Sequence, residues 1–153
     1  MDTIAIGCDE AAFKLKETIK EYVLSLNYEV MDYGVYGPEP VLYPDIALKV
    51  ATAVADHKHE RGILLCGTGI GMAITANKVP GIRAAVCHDA YSAERARKSN
   101  NCQIMTLGSR VVGEELAKMM VKIWLESDFQ EGGSTQKVAR ITEIEQQYKT
   151  HHE

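Results

Sequence analysis

The sequence predicts an α/β fold in which helices cover both faces of a five-stranded parallel sheet. Short apolar runs alternate with amphipathic helical patterns along the chain, without a linker, repeat or low-complexity segment. Such alternation is typical of parallel strands joined by crossover helices, which bury the sheet on both faces. Polar and glycine residues follow directly after several apolar runs. Because ligands of such sheets bind outside the carboxyl ends of the strands, we expect the functional residues there.

Apolar periodicity and turn residues predict the elements in order. Ala12, Leu15, Ile19 and Val23 share one helical face after the first strand. The expected strands cover residues 3–8, 28–33, 62–66, 82–87 and 103–107. The expected helices cover about 11–26, a segment from 44 onward, 71–77, a segment from 89 or 92 to 99, a segment from 113 to about 127, and a last segment after 133.

Particular residues mark the ends of these helices. Pro44 suits the first turn of the second helix, where no backbone N–H is needed. Asp89 or Ser92 can cap the fourth helix, because both side chains accept from free backbone amides. Gly132-Gly133 breaks the chain before a long last helix. That helix either packs on a second subunit or caps its own sheet, and both arrangements are open.

Composition limits the possible partners of this chain. Its 153 residues, 46% hydrophobic and 25% charged, fit a single domain over residues 1–153. A net charge of −4 argues against nucleic acid as the main partner. No apolar run approaches a membrane span, and Met1-Asp2-Thr3 begins no secretory signal, so we expect a cytoplasmic protein.

The four cysteines predict free thiols in a reducing compartment. Cys8, Cys66, Cys87 and Cys102 form no C-x-x-C pair and no zinc-like spacing. We therefore expect no metal site built from these cysteines.

The most informative motif is the segment Gly62–Gly71, in which an apolar strand ends at Cys66 and alternating glycines follow. Glycines allow positive φ and a close approach of a ligand to the backbone. A helix start then offers free N–H groups and the positive end of a dipole. The same field favours a thiolate at the neighbouring cysteine. The motif therefore predicts a base beside an oxyanion pocket, which suits proton transfer next to a carbonyl.

Two other interpretations of this motif remain open at the level of the residues. A cysteine that ends a strand is often only a small buried apolar side chain. The glycines also suit a nucleotide phosphate, and Asp89 follows at about the spacing of a dinucleotide site. However, the loop has the pattern G-x-G-x-G, whereas the dinucleotide fingerprint is G-x-G-x-x-G.

Several motifs together resemble one family. They are Gly7-Cys8-Asp9, Tyr43-Pro44, the C-G-T-G-I-G run from Cys66, the A-N-K-V-P-G-I-R run from Ala76, Tyr91-Ser92-Ala93 and the L-G-S-R-V-V-G run from Leu107. The chain resembles ribose-5-phosphate isomerase B and the related galactose-6-phosphate isomerase subunits, from its first strand to about Ile144. The resemblance implies a cofactor-free aldose–ketose isomerase with a Rossmann-like three-layer α/β/α fold. It also implies homodimers or tetramers in which the neighbouring subunit completes each site, with the last helix packing on that subunit.

The resemblance also implies roles for individual residues. Cys66 matches the base that moves a proton between C1 and C2 through a cis-enediolate, and a thiol's proton affinity suits that task near neutral pH. Thr68 and the backbone of Gly67, Gly69, Ile70 and Gly71 would hold the enediolate oxygen. The matching substrate-binding positions are Asp9, Tyr43 and Asn100 for sugar hydroxyls and Arg110 for the phosphate. From the residues alone, Asp9 is also a helix cap and Tyr43 a surface residue of a loop.

Three departures from the family pattern affect the expected substrate. Glu10 replaces a phosphate-binding histidine, and Ser99 replaces the histidine that opens a furanose ring. Ser134-Thr135 replaces an arginine–histidine pair, so that Lys137 or Arg140 would supply the remaining basic contact. Ribose 5-phosphate is the family default, and a shift to an acyclic four-carbon sugar phosphate is our hypothesis, with six-carbon phosphates also open. The alternative from a different class is a non-catalytic regulatory domain that binds nucleotides or sugar phosphates.

Overall fold

The computed structural model describes residues 3–151, which form one five-stranded parallel sheet with helices on both faces. The strands are β1 (Thr3–Cys8), β2 (Glu29–Asp32), β3 (Arg61–Cys66), β4 (Ala84–Val86) and β5 (Ile104–Gly108). The helices are α1 (Phe13–Ser25), α2 (Tyr43–Ala55), α3 (Ile70–Ala76), α4 (Ala90–Lys98), α5 (Glu114–Leu125) and α6 (Thr135–His151). The predicted α/β class and the Rossmann-like layering are confirmed.

The strand order is β2-β1-β3-β5-β4, and every pair of neighbours is parallel. Helices α1, α4 and α5 pack together on one face, while α2 and α3 pack together on the other. This division follows from right-handed crossovers, which send the chain over opposite faces as the strand order changes direction. Every residue of β3 and of β5 is buried, as expected for central strands covered on both sides.

The first α-helix and the fourth strand begin later than the sequence predicts. The first helix begins at Phe13, because Asp9 caps a short 3-10 helix over Glu10–Ala12 before the α-helix starts. The fourth strand is shorter than expected, because the amide of Ile82 donates to the carbonyl of Val79 in a turn. Within residues 3–151, no helix is long and apolar enough to cross a membrane.

The topology places Cys66 and Ser99 at opposite edges of the sheet. All strands run in one direction and the crossover helices run back, so each crossover helix ends at the amino edge of the sheet. Cys66 ends β3 at the carboxyl edge. Ser99 follows the last residue of α4 and therefore lies at the amino edge.

Candidate active site

The Cys66 side chain lies at the floor of a tight loop between β3 and α3. It is only 5% exposed, and its Sγ accepts the backbone N–H of Gly69 at 3.1 Å. Gly69 has φ +78°, and a Cβ there would lie 2.9 Å from the Leu107 backbone, so the turn requires glycine. An N–H donor to sulfur is placed to stabilise negative charge on it.

Residues at the end of β5 fix this loop by hydrogen bonds. The hydroxyl of the buried Thr106 donates to the carbonyl of Gly69 at 2.7 Å. The amide of Ser109 donates to the carbonyl of Cys66 at 2.9 Å, and that of Arg110 donates to Gly67 at 3.0 Å. The loop is therefore fixed by the neighbouring strand, which favours precise placement of the thiol.

His88 supports the same strand end from β4. Its Nε2 accepts the N–H of Gly108 at 2.9 Å, so this nitrogen carries no proton. Gly108 in turn abuts Thr68, since a Cβ on Gly108 would lie 2.7 Å from the Thr68 backbone. Burial lowers the pKa of His88, against an opposing effect of Asp89, and this keeps the ring neutral.

Sequence reasoning gave neither His88 nor Thr106 a task. For Thr106 there was a signal, because a hydroxyl in the otherwise apolar strand Ile104–Gly108 needs a hydrogen-bond partner. For His88 the only signal was its place just beyond the end of β4.

Asp9, Tyr43 and Arg110 surround the loop. Asp9 donates its amide to the Leu65 carbonyl at 3.2 Å, beside Cys66. The ring of Tyr43 covers Gly71 so closely that a Cβ there would collide with it. The Arg110 guanidinium lies over Gly67, where a Cβ would be 3.3 Å from Nη1.

The two carboxylates beside the loop already have backbone partners. Asp9 Oδ1 accepts the amide of Ala11 at 3.1 Å, so Asp9 does cap the first turn, as its alternative interpretation held. Burial raises the pKa of Asp9, Glu10 raises it further, and the charge of Arg110 opposes both. Glu10 accepts the amide of Val41 at 3.2 Å and so contacts the segment that leads to Tyr43.

Ser99 and Asn100 do not lie with the loop in one chain. They follow α4 at the amino edge, about 16 Å from Cys66 if the length of one strand separates the two edges. Ser99 Oγ accepts from Arg95 Nη1 at 3.1 Å, and Asn100 Nδ2 donates to the Arg95 carbonyl at 3.0 Å. Asn100 lines a cavity of about 610 Å³ together with Ile141 of α6.

Lys137 and Arg140 are also apart from Cys66 within one chain. Both are exposed on α6, and Arg140 pairs with Glu143 at 2.9 Å. Helix α6 is held near the amino edge, because Glu145 accepts the amide of Gly81 at 3.0 Å just before β4.

Burial dominates the surroundings of the other cysteines. Burial raises the pKa of Cys8 and Cys102 to about 11 and that of Cys87 to about 12, so these side chains stay neutral thiols. In the part of the chain that the structure describes, no cluster of histidine, cysteine and carboxylate side chains could hold a metal ion.

The carboxyl edge thus brings together a thiol, a hydroxyl at Thr68, a carboxylate at Asp9 and a cation at Arg110. A thiol next to such donors can move a proton beside a carbonyl, and the guanidinium can bind an anionic group. Because the Tyr43 ring covers Gly71, the loop lacks the open backbone that a pyrophosphate needs.

Comparisons with known proteins agree with this chemistry. Residues 4–141 match the profile of the family described as Ribose/Galactose Isomerase. The chain is 56% identical to a D-erythrulose-4-phosphate isomerase of Pectobacterium atrosepticum, over 97% of this chain and 99% of that protein. It is 55% identical to a ribose-5-P isomerase B of Listeria innocua, over 94% and 97%.

A solved structure of Clostridium thermocellum ribose-5-phosphate isomerase B superposes with a TM-score of 0.93. Its sequence identity is 48%, and the match covers 95% of this chain and 99% of that one. The fold, the Cys66 loop and these matches lead to one conclusion: the chain belongs to the ribose/galactose isomerase family and is a sugar-phosphate aldose–ketose isomerase.

Proposed function

We propose that this isomerase interconverts erythrose 4-phosphate and erythrulose 4-phosphate. The observation that carries the proposal is Ser99, whose hydroxyl accepts from Arg95 where the family resemblance expects a ring-opening histidine. A serine hydroxyl is no acid at neutral pH, unlike an imidazolium. A four-carbon sugar whose 4-hydroxyl is esterified cannot close a furanose ring. Such a substrate needs no ring-opening acid.

The relatives support a four-carbon substrate without deciding it. One relative, 56% identical, is named D-erythrulose-4-phosphate isomerase, and another, 55% identical, is named ribose-5-P isomerase B. Ribose 5-phosphate is therefore the second candidate, in which case another residue opens the ring or spontaneous opening is fast enough. Overall identity to these two relatives is almost the same, so the choice between the two substrates must depend on particular residues.

The proposed reaction starts with proton transfer to Cys66. Its thiolate removes the C2 proton of the aldose, and the electron pair of that C–H bond forms the C1=C2 bond of an enediolate. Cys66 then delivers a proton to C1, after partial exchange of the thiol proton with solvent. A second proton moves from the O2 hydroxyl to O1, so that O2 becomes the carbonyl oxygen and O1 a hydroxyl. Thr68 and the amides of Gly67 and Gly71 stabilise the negative oxygen, because the amide of Gly69 donates to Cys66 Sγ and that of Ile70 to Thr68 Oγ1. One such donor is typically worth ~3 kcal/mol.

The remaining groups of the carboxyl edge bind the substrate in this proposal. Arg110 binds the phosphate, because a guanidinium matches its oxygens in charge and geometry. Asp9 and Tyr43 bind the sugar hydroxyls. Ser99, Asn100 and one of the cations Lys137 and Arg140 come from a second copy of the chain, since one chain keeps them at the other edge.

Exposed apolar side chains support such a homodimer. Ile70 and Ile74 on α3 are 54% and 57% exposed, and Ile141 on α6 is 49% exposed. Large apolar side chains in this state are typical of surfaces that a partner covers. A tetramer remains compatible with the same surfaces.

Comparing kcat/KM across four-, five- and six-carbon aldose phosphates tests the substrate. We expect the highest value for erythrose 4-phosphate. A clear preference for ribose 5-phosphate would discard the four-carbon assignment.

The Ser99→His variant tests the reason for that preference. We expect it to raise the value for ribose 5-phosphate relative to erythrose 4-phosphate. Lys98→His, which places the same ring on the preceding residue, is the matched control and should leave the ratio unchanged.

A further inference from the structure

A second polar cavity lies at the amino edge of the sheet. Its volume is about 380 Å³, and it is lined by residues that include His57, His59, Arg61, Arg97 and Asp128. Arg61 begins β3 and Cys66 ends it, so the cavity is separated from the catalytic loop by the length of that strand, about 16 Å. No step of the proposed isomerisation uses these residues.

Two buried cations line this cavity, and their charges are only partly neutralised. The residues Arg61 and Arg97 are each 8% exposed. Asp128 pairs with Arg61 at 2.7 Å, but its own side chain is 86% exposed and remains largely hydrated. Burial and then the charge of Arg61 lower the pKa of Arg97 to about 10, so Arg97 stays a cation at neutral pH. Buried charges of this kind favour a counterion.

Part of each guanidinium serves the end of α5. Arg61 Nη1 donates to the carbonyls of Trp124 and Leu125, and Arg97 Nε donates to that of Ser127. These bonds satisfy carbonyls that a helix end leaves without partners. A purely structural role of the two arginines would require no donors beyond these bonds.

One set of donors is not accounted for by that role. Arg97 Nη1 donates to the Cys102 carbonyl at 2.7 Å and approaches Asn101 Oδ1 at 3.4 Å. Its Nη2 makes no hydrogen bond within residues 3–151. This nitrogen remains accessible to solvent, because it is absent from the buried polar atoms without a partner. A nine-tenths buried guanidinium therefore keeps two N–H donors toward the accessible space.

His59 adds a second unpartnered group. The residue is 8% exposed, and its Nε2 is held by the Tyr33 hydroxyl at 2.8 Å. Its Nδ1 is buried and has no partner in the described part of the chain. When Nε2 accepts from Tyr33, Nδ1 carries the ring proton and remains a buried N–H group beside the cavity, without a partner within residues 3–151.

We propose that this cavity is an anion site, separate from the Cys66 loop, that binds inorganic phosphate or a small phosphate monoester through Arg97 with Arg61 as the second cation. Guanidinium groups bind phosphate oxygens in a bidentate manner. The site lets a phosphorylated metabolite bind without competing for the catalytic loop.

NMR titration of the intact protein with inorganic phosphate tests this site, at constant ionic strength maintained with chloride. We expect saturable shifts of the amides of His57, Glu60 and Asn101, with their own Kd, besides the shifts of Thr68 and Gly71. A parallel titration with glycerol 2-phosphate shows whether free phosphate or the monoester binds more tightly.

A substitution at the rim of the cavity tests the site without replacing the buried arginines. His57 is exposed with φ +59°, a backbone region that aspartate tolerates. His57→Asp should weaken phosphate binding at the cavity about fivefold, because it adds a negative charge at the rim. Asn27→Asp is the matched control, since Asn27 is exposed at φ +70° outside the cavity and gains the same carboxylate. This control should leave the cavity Kd unchanged.

Three results would overturn the proposal. One is the absence of saturable shifts at the cavity residues, and another is an equal response to chloride alone. The third is an equal Kd in His57→Asp and Asn27→Asp, which would assign the shifts to unspecific charge effects.

Discussion

At the scale of single residues, the four cysteines of this chain have different chemistry because their surroundings differ. Burial holds Cys8, Cys87 and Cys102 as neutral thiols with raised pKa values. At Cys66 the sulfur accepts the Gly69 amide and Arg110 lies over the neighbouring Gly67, whereas at Cys8 burial outweighs the Val35 amide and the charge of Lys16. The base of the proposed reaction is therefore distinguished by its partners and not by residue type.

The Cys66→Ala variant should lower kcat at least ~100-fold, because it removes the group that transfers the proton. KM and thermal stability should change little, since the sulfur is small and makes one hydrogen bond to the loop. Steady-state kinetics and uptake of solvent deuterium at C1 and C2 measure the effect. Cys102→Ala, at the amino edge, is the control and should keep kcat. Near-normal turnover of Cys66→Ala would require a different base.

His88 should make activity depend on pH through the position of the loop. Its lowered folded-state pKa means that the unfolded chain binds more protons near pH 6, so stability rises with pH there. The contribution of neutral His88 is complete above the unfolded value of about 6.5 and is lost as the pH falls through the folded pKa. A protonated ring cannot accept the Gly108 amide. We expect kcat to fall on that acidic side.

Two variants separate His88 from other groups that titrate nearby, such as His59, whose pKa burial also lowers. His88→Gln retains an acceptor that does not titrate, so the acidic fall of kcat should become shallower. His88→Ala removes the acceptor and should lower kcat about tenfold at every pH, a typical cost of misplacing a catalytic loop. An unchanged pH profile in His88→Gln would remove His88 from this role.

At the scale of the elements, the loop between β3 and α3 depends on close backbone approaches. Gly71→Ala should lower kcat/KM at least ~10-fold, because the added Cβ displaces the Tyr43 ring that covers the loop. Gly133→Ala is the matched control: its added Cβ meets nothing within 4 Å, so activity should be retained. Equal activity of the two variants would show that the position of Tyr43 does not matter.

Most elements were predictable because their signals are local. Apolar runs, the proline of α2 and the Asp89 cap of α4 all act within a few residues, and the observed elements follow them. The misjudged start of α1 has a local cause too, but Asp9 gives the same signal for a 3-10 turn as for an α-helix. The length of β4 depends on distant residues, since the Arg83 amide donates to the Gln103 side chain at 2.8 Å. The apolar periodicity of the sequence does not predict that contact.

At the scale of the whole molecule, the sequence predicted the carboxyl-edge cluster because the parallel direction of the strands brings Cys66, Asp9 and Arg110 to one edge. The same topology places Ser99 and Asn100 at the opposite edge. Their expected role came from resemblance, which carries no information on which copy of the chain supplies a residue. Only a second chain can reconcile that role with the observed positions.

Mixing two inactive variants tests this shared site. In a homodimer of Cys66→Ala, every site lacks the base, and in one of Asn100→Ala every site lacks the amide. A mixed dimer has one site with both groups intact, if each site takes Cys66 from one chain and Asn100 from the other. Random exchange makes half of the dimers mixed, so about a quarter of wild-type activity should return.

Native mass spectrometry must show that subunits exchange before the activity is judged. The matched control mixes Cys66→Ala with Asp9→Ala. Because Asp9 and Cys66 lie beside each other in one chain, each site of this mixed dimer lacks one of the two groups, and no activity should return whether or not sites are shared. A double variant, Cys66→Ala with Asn100→Ala, mixed with wild type discriminates further. With shared sites, each mixed dimer loses both of its sites, and activity falls to about a quarter of the wild-type value. With sites inside one chain it falls only to half, and Asn100 would then be a residue of the amino edge without contact to substrate.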